Sequence, residues 1–162
     1  MAGLTPPPDV TSFKLGGLEL AGGAFKILNA RQIILPAPKS RSNVSAAELD
    51  ADLGRRSRRT GRTVDLEVLV TGTVDDNGNV PAGVFDPTDR CDTNEDVLRA
   101  ATFDAPEDDF GCIEIDLVKR NGQRMVGDVQ VDDFAPGAGA TERVVVMQIT
   151  VPDGELTAVE SP

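Results

Sequence analysis

A mainly β chain with one flanking α-helix and one long inter-strand loop is the fold this sequence predicts, and three observations carry it. Apolar and polar residues alternate over Thr63 to Thr71 and again over Ile113 to Leu117, the period of a strand with one buried face. Asn121-Gly122 stands between two strand-like runs, where a hairpin turn belongs. One stretch, Asp92 to Phe103, joins a capping box to an apolar stripe at helical spacing.

The elements follow in order. Residues 1–10 contain Pro6-Pro7-Pro8 and read as an extended arm without a core of its own, to be ordered by a neighbour. A single domain spans 11–155, and 156–162 reads as a C-terminal tail. Thr11 to Leu20 predicts two short strands around Gly16-Gly17, with a second break at Gly22-Gly23. Phe25 to Leu35 predicts a long strand with a bulge near Asn29-Ala30. Pro36-Ala37-Pro38 ends it, and β-patterning resumes only at Arg62. The loop 36–61 is therefore far longer than the ~4–6 residues of an ordinary connection. Within it Ser45-Ala46-Ala47-Glu48 forms a capping box, and Leu49 and Leu53 share one helical face, which predicts a two-turn helix ending at Gly54.

Val64, Leu66, Val68 and Val70 make one face of the clearest strand, Thr63 to Thr71. A polar turn, Asp75 to Asn79, leads into an irregular stretch punctuated by Pro81 and Pro87. The helix is expected over Thr93 to Phe103, capped by Asp92 and Glu95 and packing Val97, Leu98 and Ala101 on a sheet; Pro106 and Glu107-Asp108-Asp109 end it. Ile113, Ile115 and Leu117 then lead through a type I′ turn at Asn121-Gly122 to a return strand, Met125 to Phe134, carrying Val129 and Val131. Glu142 to Val151 is apolar on both faces at Val144 to Met147, which predicts a central or sandwiched strand. The expected core is Val64, Leu66, Val68, Val70, Ile113, Ile115, Leu117, Val129, Val131, Val145, Met147 and Ile149, covered on one side by Val97 and Leu98.

Composition narrows function by exclusion. The 162 residues suit one domain. Histidine, tryptophan and tyrosine are absent, which removes the commonest general base and metal ligand and the best stacking side chains. Cys91 and Cys112 cannot make a zinc site or a disulfide framework, so no metal, no cofactor and no enzymatic activity are expected. The turn opening at Asp75 fails the calcium-loop pattern, with Val80 at position six and Asp86 at position twelve. No apolar run approaches the ~18 residues of a membrane span, and MAGLTPPPDV has no signal-peptide pattern, so synthesis in a cytoplasm and no membrane partner are expected.

Charge is distributed unevenly. Lys plus Arg number 16 and Asp plus Glu 27, a net −11, which argues against a protein dominated by phosphate neutralisation. Residues 31–62 hold eight basic residues against three acids, net +5, whereas 63–162 hold six against twenty-two, net −16. Arg55, Arg56, Arg58, Arg59 and Arg62 lie within eight residues. Three meanings compete for them: a solvated loop, docking on the acidic surface of another copy, and contact with nucleic acid. No aromatic residue interleaves the cluster as single-strand binders require. The expected subunit interface is Arg55, Arg56, Arg58, Arg59 and Arg62 with Leu49 and Leu53.

The order of elements resembles that of the tail-tube and distal-tail protein family of long-tailed bacteriophages. The resemblance is carried by Gly61-Arg62-Thr63-Val64-Asp65-Leu66-Glu67-Val68-Leu69-Val70-Thr71-Gly72 after a long loop, the helix around Asn94 to Ala100, the hairpin Ile113 to Val131 and the closing Arg143 to Asp153. It covers about residues 11–155 and implies an antiparallel β-sandwich or partial barrel with a flanking helix. It further implies a structural subunit of the virion tail, made in the host cytoplasm. Such subunits assemble as a ring, usually of six copies, around a DNA channel and beside neighbouring tail proteins, with the long loop reaching a neighbour. DNA passes without specific binding, which suits an acidic wall. The alternatives are a head-tail connector or tail terminator and, from another class, a nucleic-acid-binding accessory protein acting through the arginine loop. The second, receptor-associated domain of larger distal-tail proteins has no counterpart in the sequence.

Overall fold

In a computed structural model, residues 7–35, 39–41, 57–59, 61–75, 78–80, 86–108, 111–152 and 155–159 are described. Strands β1 (Val10–Leu15), β2 (Leu18–Glu19) and β3 (Phe25–Ile27) precede a single helical turn, α1 (Arg31–Ile34). Strands β4 (Lys39–Arg41), β5 (Ser57–Arg59) and β6 (Arg62–Thr71) follow, then helix α2 (Pro87–Ala101). The chain closes with β7 (Ile113–Lys119), β8 (Arg124–Ala135), β9 (Glu142–Val151) and β10 (Thr157–Val159).

The main sheet runs β2-β1-β7-β8-β9-β6-β3, with β10 also on β8, and every pairing is antiparallel. Its two edges meet at Leu20, whose N–H donates to the Phe13 carbonyl at 2.6 Å and whose carbonyl accepts from the Ile27 N–H at 2.8 Å. The sheet thus nearly closes as a barrel. Closure needs a strongly bent strand, and β8 supplies it. Its first half pairs with β7 and its second with β9, and the register shifts between Val131 and Asp133 as one extra residue enters.

The barrel interior holds most of the expected core: Leu66, Val68, Val70, Ile113, Ile115, Leu117, Val129, Val145, Met147 and Ile149 are buried, while Val64 and Val131 are half-buried. Phe13, Leu15, Phe25 and Ile27, from the strands that close it, are buried among them. Strand β9 is central, but it is not sandwiched. Its odd-numbered residues from Val145 to Val151 face the core, whereas Val144, in register with Leu69, is 36% exposed on the outer face.

Several sequence expectations are corrected. The strand expected over Phe25 to Leu35 ends at Ile27 because the Asn29 side chain takes over the ladder, accepting from the Glu67 N–H at 2.8 Å and donating to the Asp65 carbonyl at 2.7 Å. Ala30 has already turned into helical geometry. Helix α2 starts six residues earlier than expected. Asp86 is its N-cap, accepting from the Thr88 N–H at 2.9 Å, and Pro87 supplies the first helical residue, where its missing N–H costs nothing. The helix buries Cys91, Asn94 and Leu98, with Val97 at the edge of the core.

The type I′ turn lies at Gly16-Gly17, both with positive φ, between the paired residues Leu15 and Leu18. At the β7–β8 hairpin only Gly122 has positive φ, and the Gly122 N–H donates to the Lys119 carbonyl at 2.9 Å, so Arg120 to Gly122 form a three-residue loop. Described residues near both termini make contacts that were not expected. Arg120 donates to the carbonyls of Pro7 and Pro8 at 2.8 and 3.2 Å, so residues 7–8 of the expected arm are held by the chain itself. Thr157–Val159, within the expected tail, adds strand β10. The loop 36–61 is not devoid of strands, since β4 and β5 pair within it. The helix expected over Ser45 to Gly54 lies outside the described residues.

Helix α2 lies across one mouth of the barrel, and two glycines permit its approach. A Cβ on Gly16 would stand 1.8 Å from the Ala101 carbonyl oxygen, and one on Gly72 would stand 1.8 Å from that of Pro87. Between these ends, the buried Asn94 amide donates to the carbonyls of Thr71 and Val74 at 2.8 and 2.9 Å. The half-buried Arg143 guanidinium, at the start of β9, bonds Asp92 at 2.8 Å and reaches Glu95 at 3.5 Å.

Candidate functional site

The basic segment forms a small sheet of its own. Strands β4 and β5 pair only with each other, in the register Lys39 to Arg59, Ser40 to Arg58 and Arg41 to Ser57. Arg59 is three residues before Arg62, the first residue of β6, so the base of the ribbon lies within ~11 Å of the barrel. Two strands are marginal in water, and cationic residues directly opposite, as at Lys39 and Arg59, weaken them further.

The expected interface residues separate in the structure. Arg58 and Arg59 are on β5, while Arg55, Arg56, Leu49 and Leu53 lie outside the described residues. Arg62 is half-buried at the start of β6 and donates to the Ile33 carbonyl at 3.0 Å, fastening α1 to the sheet. Burial lowers its pKa, and the nearby Glu155 carboxylate opposes the shift.

The acids are more concentrated than the sequence suggested. A groove of about 560 Å³ lies beside the Gly16-Gly17 turn, where Glu107 and Asp108 approach Glu114 and Asp116 of β7 and Asp128 of β8. Glu114 and Asp128 are directly opposed in the ladder and both exposed, a like-charge pair that costs stability. Two cations stand near. Arg124 grips Asp116 through two hydrogen bonds of 2.9 and 2.7 Å, which hold that carboxyl below the usual range, and Lys14 lines the groove from β1. Asp108 accepts from the Cys112 N–H at 2.9 Å, fixing the approach to β7. Sequence reasoning named Glu107 and Asp108 but missed Glu114, Asp116 and Asp128, whose convergence depends on the hairpin register.

Cys91 and Cys112 are free and buried, and burial pushes the Cys91 thiol up, against the nearby Arg143 charge. Among the described residues, no three His, Cys, Asp or Glu side chains are placed to hold a metal ion. Nor is any described helix long and apolar enough to cross a membrane. Comparison with family models, with curated proteins and with solved structures returns no match to this chain.

Proposed function

We propose that this chain is a structural subunit of a long-tailed bacteriophage tail, of the tail-tube or distal-tail kind, which self-assembles as a ring around the DNA channel. The observation that carries the reading is the charge asymmetry of the chain, a basic segment whose strands β4 and β5 pair with each other, followed by a strongly acidic remainder. Each copy offers a segment of net +5 and a segment of net −16, the two halves of a contact that repeats head to tail until a ring closes. The excess acid also suits a conduit, because a negative wall repels phosphate and lets DNA slide. A nearly closed antiparallel barrel with a helix across one mouth agrees with the resemblance in element order.

A second reading has one observation in its favour: a two-stranded basic ribbon has the dimensions to enter a DNA major groove. The net charge of −11 weighs against it, since phosphate contacts supply most non-specific affinity. Mass photometry and electron microscopy of the purified protein separate the two. Closed rings support the tail subunit, whereas a monomer that retains duplex DNA with steep salt sensitivity supports nucleic-acid binding. A protein that stays monomeric at all concentrations and ignores DNA refutes both.

A further inference from the structure

We infer that the outer face of β3, β6 and β9 is a two-fold contact between two copies of this chain, distinct from the head-to-tail contact proposed above. The sequence places apolar residues where the alternation calls for polar ones: Leu69 on β6, and Val144 and Val146 on β9. In an antiparallel sheet with one solvated face the outward positions are polar, so a run of apolar ones marks a face that is covered. Within one copy the barrel buries only the inward residues of β9, and the outward ones meet on the opposite side of the sheet. Leu69 stands directly opposite both Val144 and Lys26 of β3, and Val146 stands opposite Glu67. Leu28, just past β3, lies beside Glu67, to whose carbonyl its N–H donates at 2.8 Å. Leu28 and Val144 are 38% and 36% exposed, and Leu69 and Val146 are half-buried. A contiguous apolar patch therefore crosses three strands on the solvent side.

The charges on the patch identify its occupant. Lys26 and Glu67 are diagonal neighbours on adjacent strands, since Lys26 is in register with Leu69, two residues along β6. A surface that carries one cation and one anion beside an apolar centre complements itself. A two-fold axis in the plane of contact, passing between these two residues, sets the lysine of each copy against the glutamate of the other and brings the two apolar centres together. A partner surface of a single sign would instead set one of the two against a like charge.

Sedimentation of the full chain in about 1 M NaCl tests this, because contacts driven by charge are screened there, with a Debye length of ~3 Å, whereas apolar burial is not. Wild type should form a reversible, concentration-dependent dimer. Leu69→Glu with Val144→Lys removes the apolar centre, and because the two positions are directly opposed, the new charges pair across the variant's own ladder and preserve it. This variant should keep the wild-type circular dichroism spectrum and dimerise at least ~100-fold more weakly, each substitution acting twice in a two-fold contact. Should it not fold, Val144→Thr with Val146→Thr, which keeps β-branched side chains in the strand, takes its place, with an expected loss of at least ~10-fold. In low salt, Lys26→Glu should weaken the dimer, and adding Glu67→Lys to it should restore association. A wild type that is monomeric in high salt overturns the inference, whatever else binds this face. So does a dimer that the apolar variants leave intact, or one that the second charge substitution fails to restore. Rings that form in low salt and dissolve to monomers in high salt leave the head-to-tail reading standing without this one, and a salt-resistant dimer that never forms rings does the reverse.

Discussion

Replacing Val68 by Asp tests the barrel at its centre. Val68 is fully buried, and the ladder sets it between Val145 of β9 and Ile27 of β3, both fully buried as well. Losing the apolar burial costs ~1.5–3 kcal/mol. Placing an unpartnered carboxyl there adds ~1–3 kcal/mol, for a total of about 3–6 kcal/mol. A domain of ordinary stability has ~5–15 kcal/mol, so the variant should stand close to unfolding. The control is one residue away: Leu69 points to the outer face and is only half-buried, and Leu69→Asp should cost no more than ~1 kcal/mol. Urea unfolding followed by circular dichroism measures both. Desolvation raises the introduced carboxyl's pKa in the folded state above its unfolded value of ~3.9. Below that value both states are protonated, and as pH rises the unfolded state ionises first, so the penalty should grow from about pH 4 upward. Val68→Asp and Leu69→Asp of equal stability, or a penalty unchanged between about pH 4 and pH 8, would refute the assignment of faces.

Three further outcomes are expected. Asn94→Ala leaves the carbonyls of Thr71 and Val74 without their donor beneath α2 and should cost about 2–4 kcal/mol in urea unfolding; a loss under ~0.5 kcal/mol would mean that water replaces the amide. Because Arg124 holds the Asp116 pKa down, that pair contributes stability above the unfolded pKa and loses it as pH falls through the folded one. The Tm advantage of wild type over Asp116→Asn should therefore shrink between about pH 5 and pH 2, and a constant difference would contradict the pairing. The quadruple variant Arg55, Arg56, Arg58 and Arg59 to Ser should keep the wild-type circular dichroism spectrum yet fail to assemble. Wild-type assembly should also weaken between 0.1 and 1 M salt, as the Debye length falls from ~10 to ~3 Å; normal, salt-resistant rings from the variant would make the arginines a solvated face.

Much of the barrel was legible in the sequence because period-two alternation reports directly on burial. The inward faces of β7 and β9 follow the pattern residue for residue, and β6 follows it as far as Thr71, which takes an outward position in the alternation yet is buried beneath α2, where Asn94 donates to its carbonyl. What failed was local chemistry that imitates another element. Phe25 to Leu35 is rich in strand formers, yet Asn29 can close the ladder with its side chain, and no periodicity distinguishes that from a bulge. The misread hairpin turn, by contrast, was avoidable. Ile113, Ile115 and Leu117 face inward on one strand and Val129 and Val131 on the other, all at odd positions, so opposed residues must sum to an even number. A two-residue loop at Asn121-Gly122 gives an odd sum and sets outward Glu114 opposite inward Val129. Three residues restore parity and place Glu114 opposite Asp128, and with that register the acidic groove becomes visible.

The same parity divides the arginine cluster, which composition alone presents as one feature. Arg62 shares the even positions of Val64, Leu66, Val68 and Val70, the inward face of β6, at the strand's first residue. Arg62 is half-buried there, and its guanidinium donates to the Ile33 carbonyl of the short helix α1. Arg58 and Arg59 sit across the Thr60-Gly61 junction, in a ladder that shares no partner with β6. One run of five arginines is therefore divided in the structure, Arg62 binding the barrel end and Arg58 and Arg59 belonging to a separate ladder. Substituting Arg62 along with the others would confound folding with assembly, which is why the quadruple variant leaves it in place.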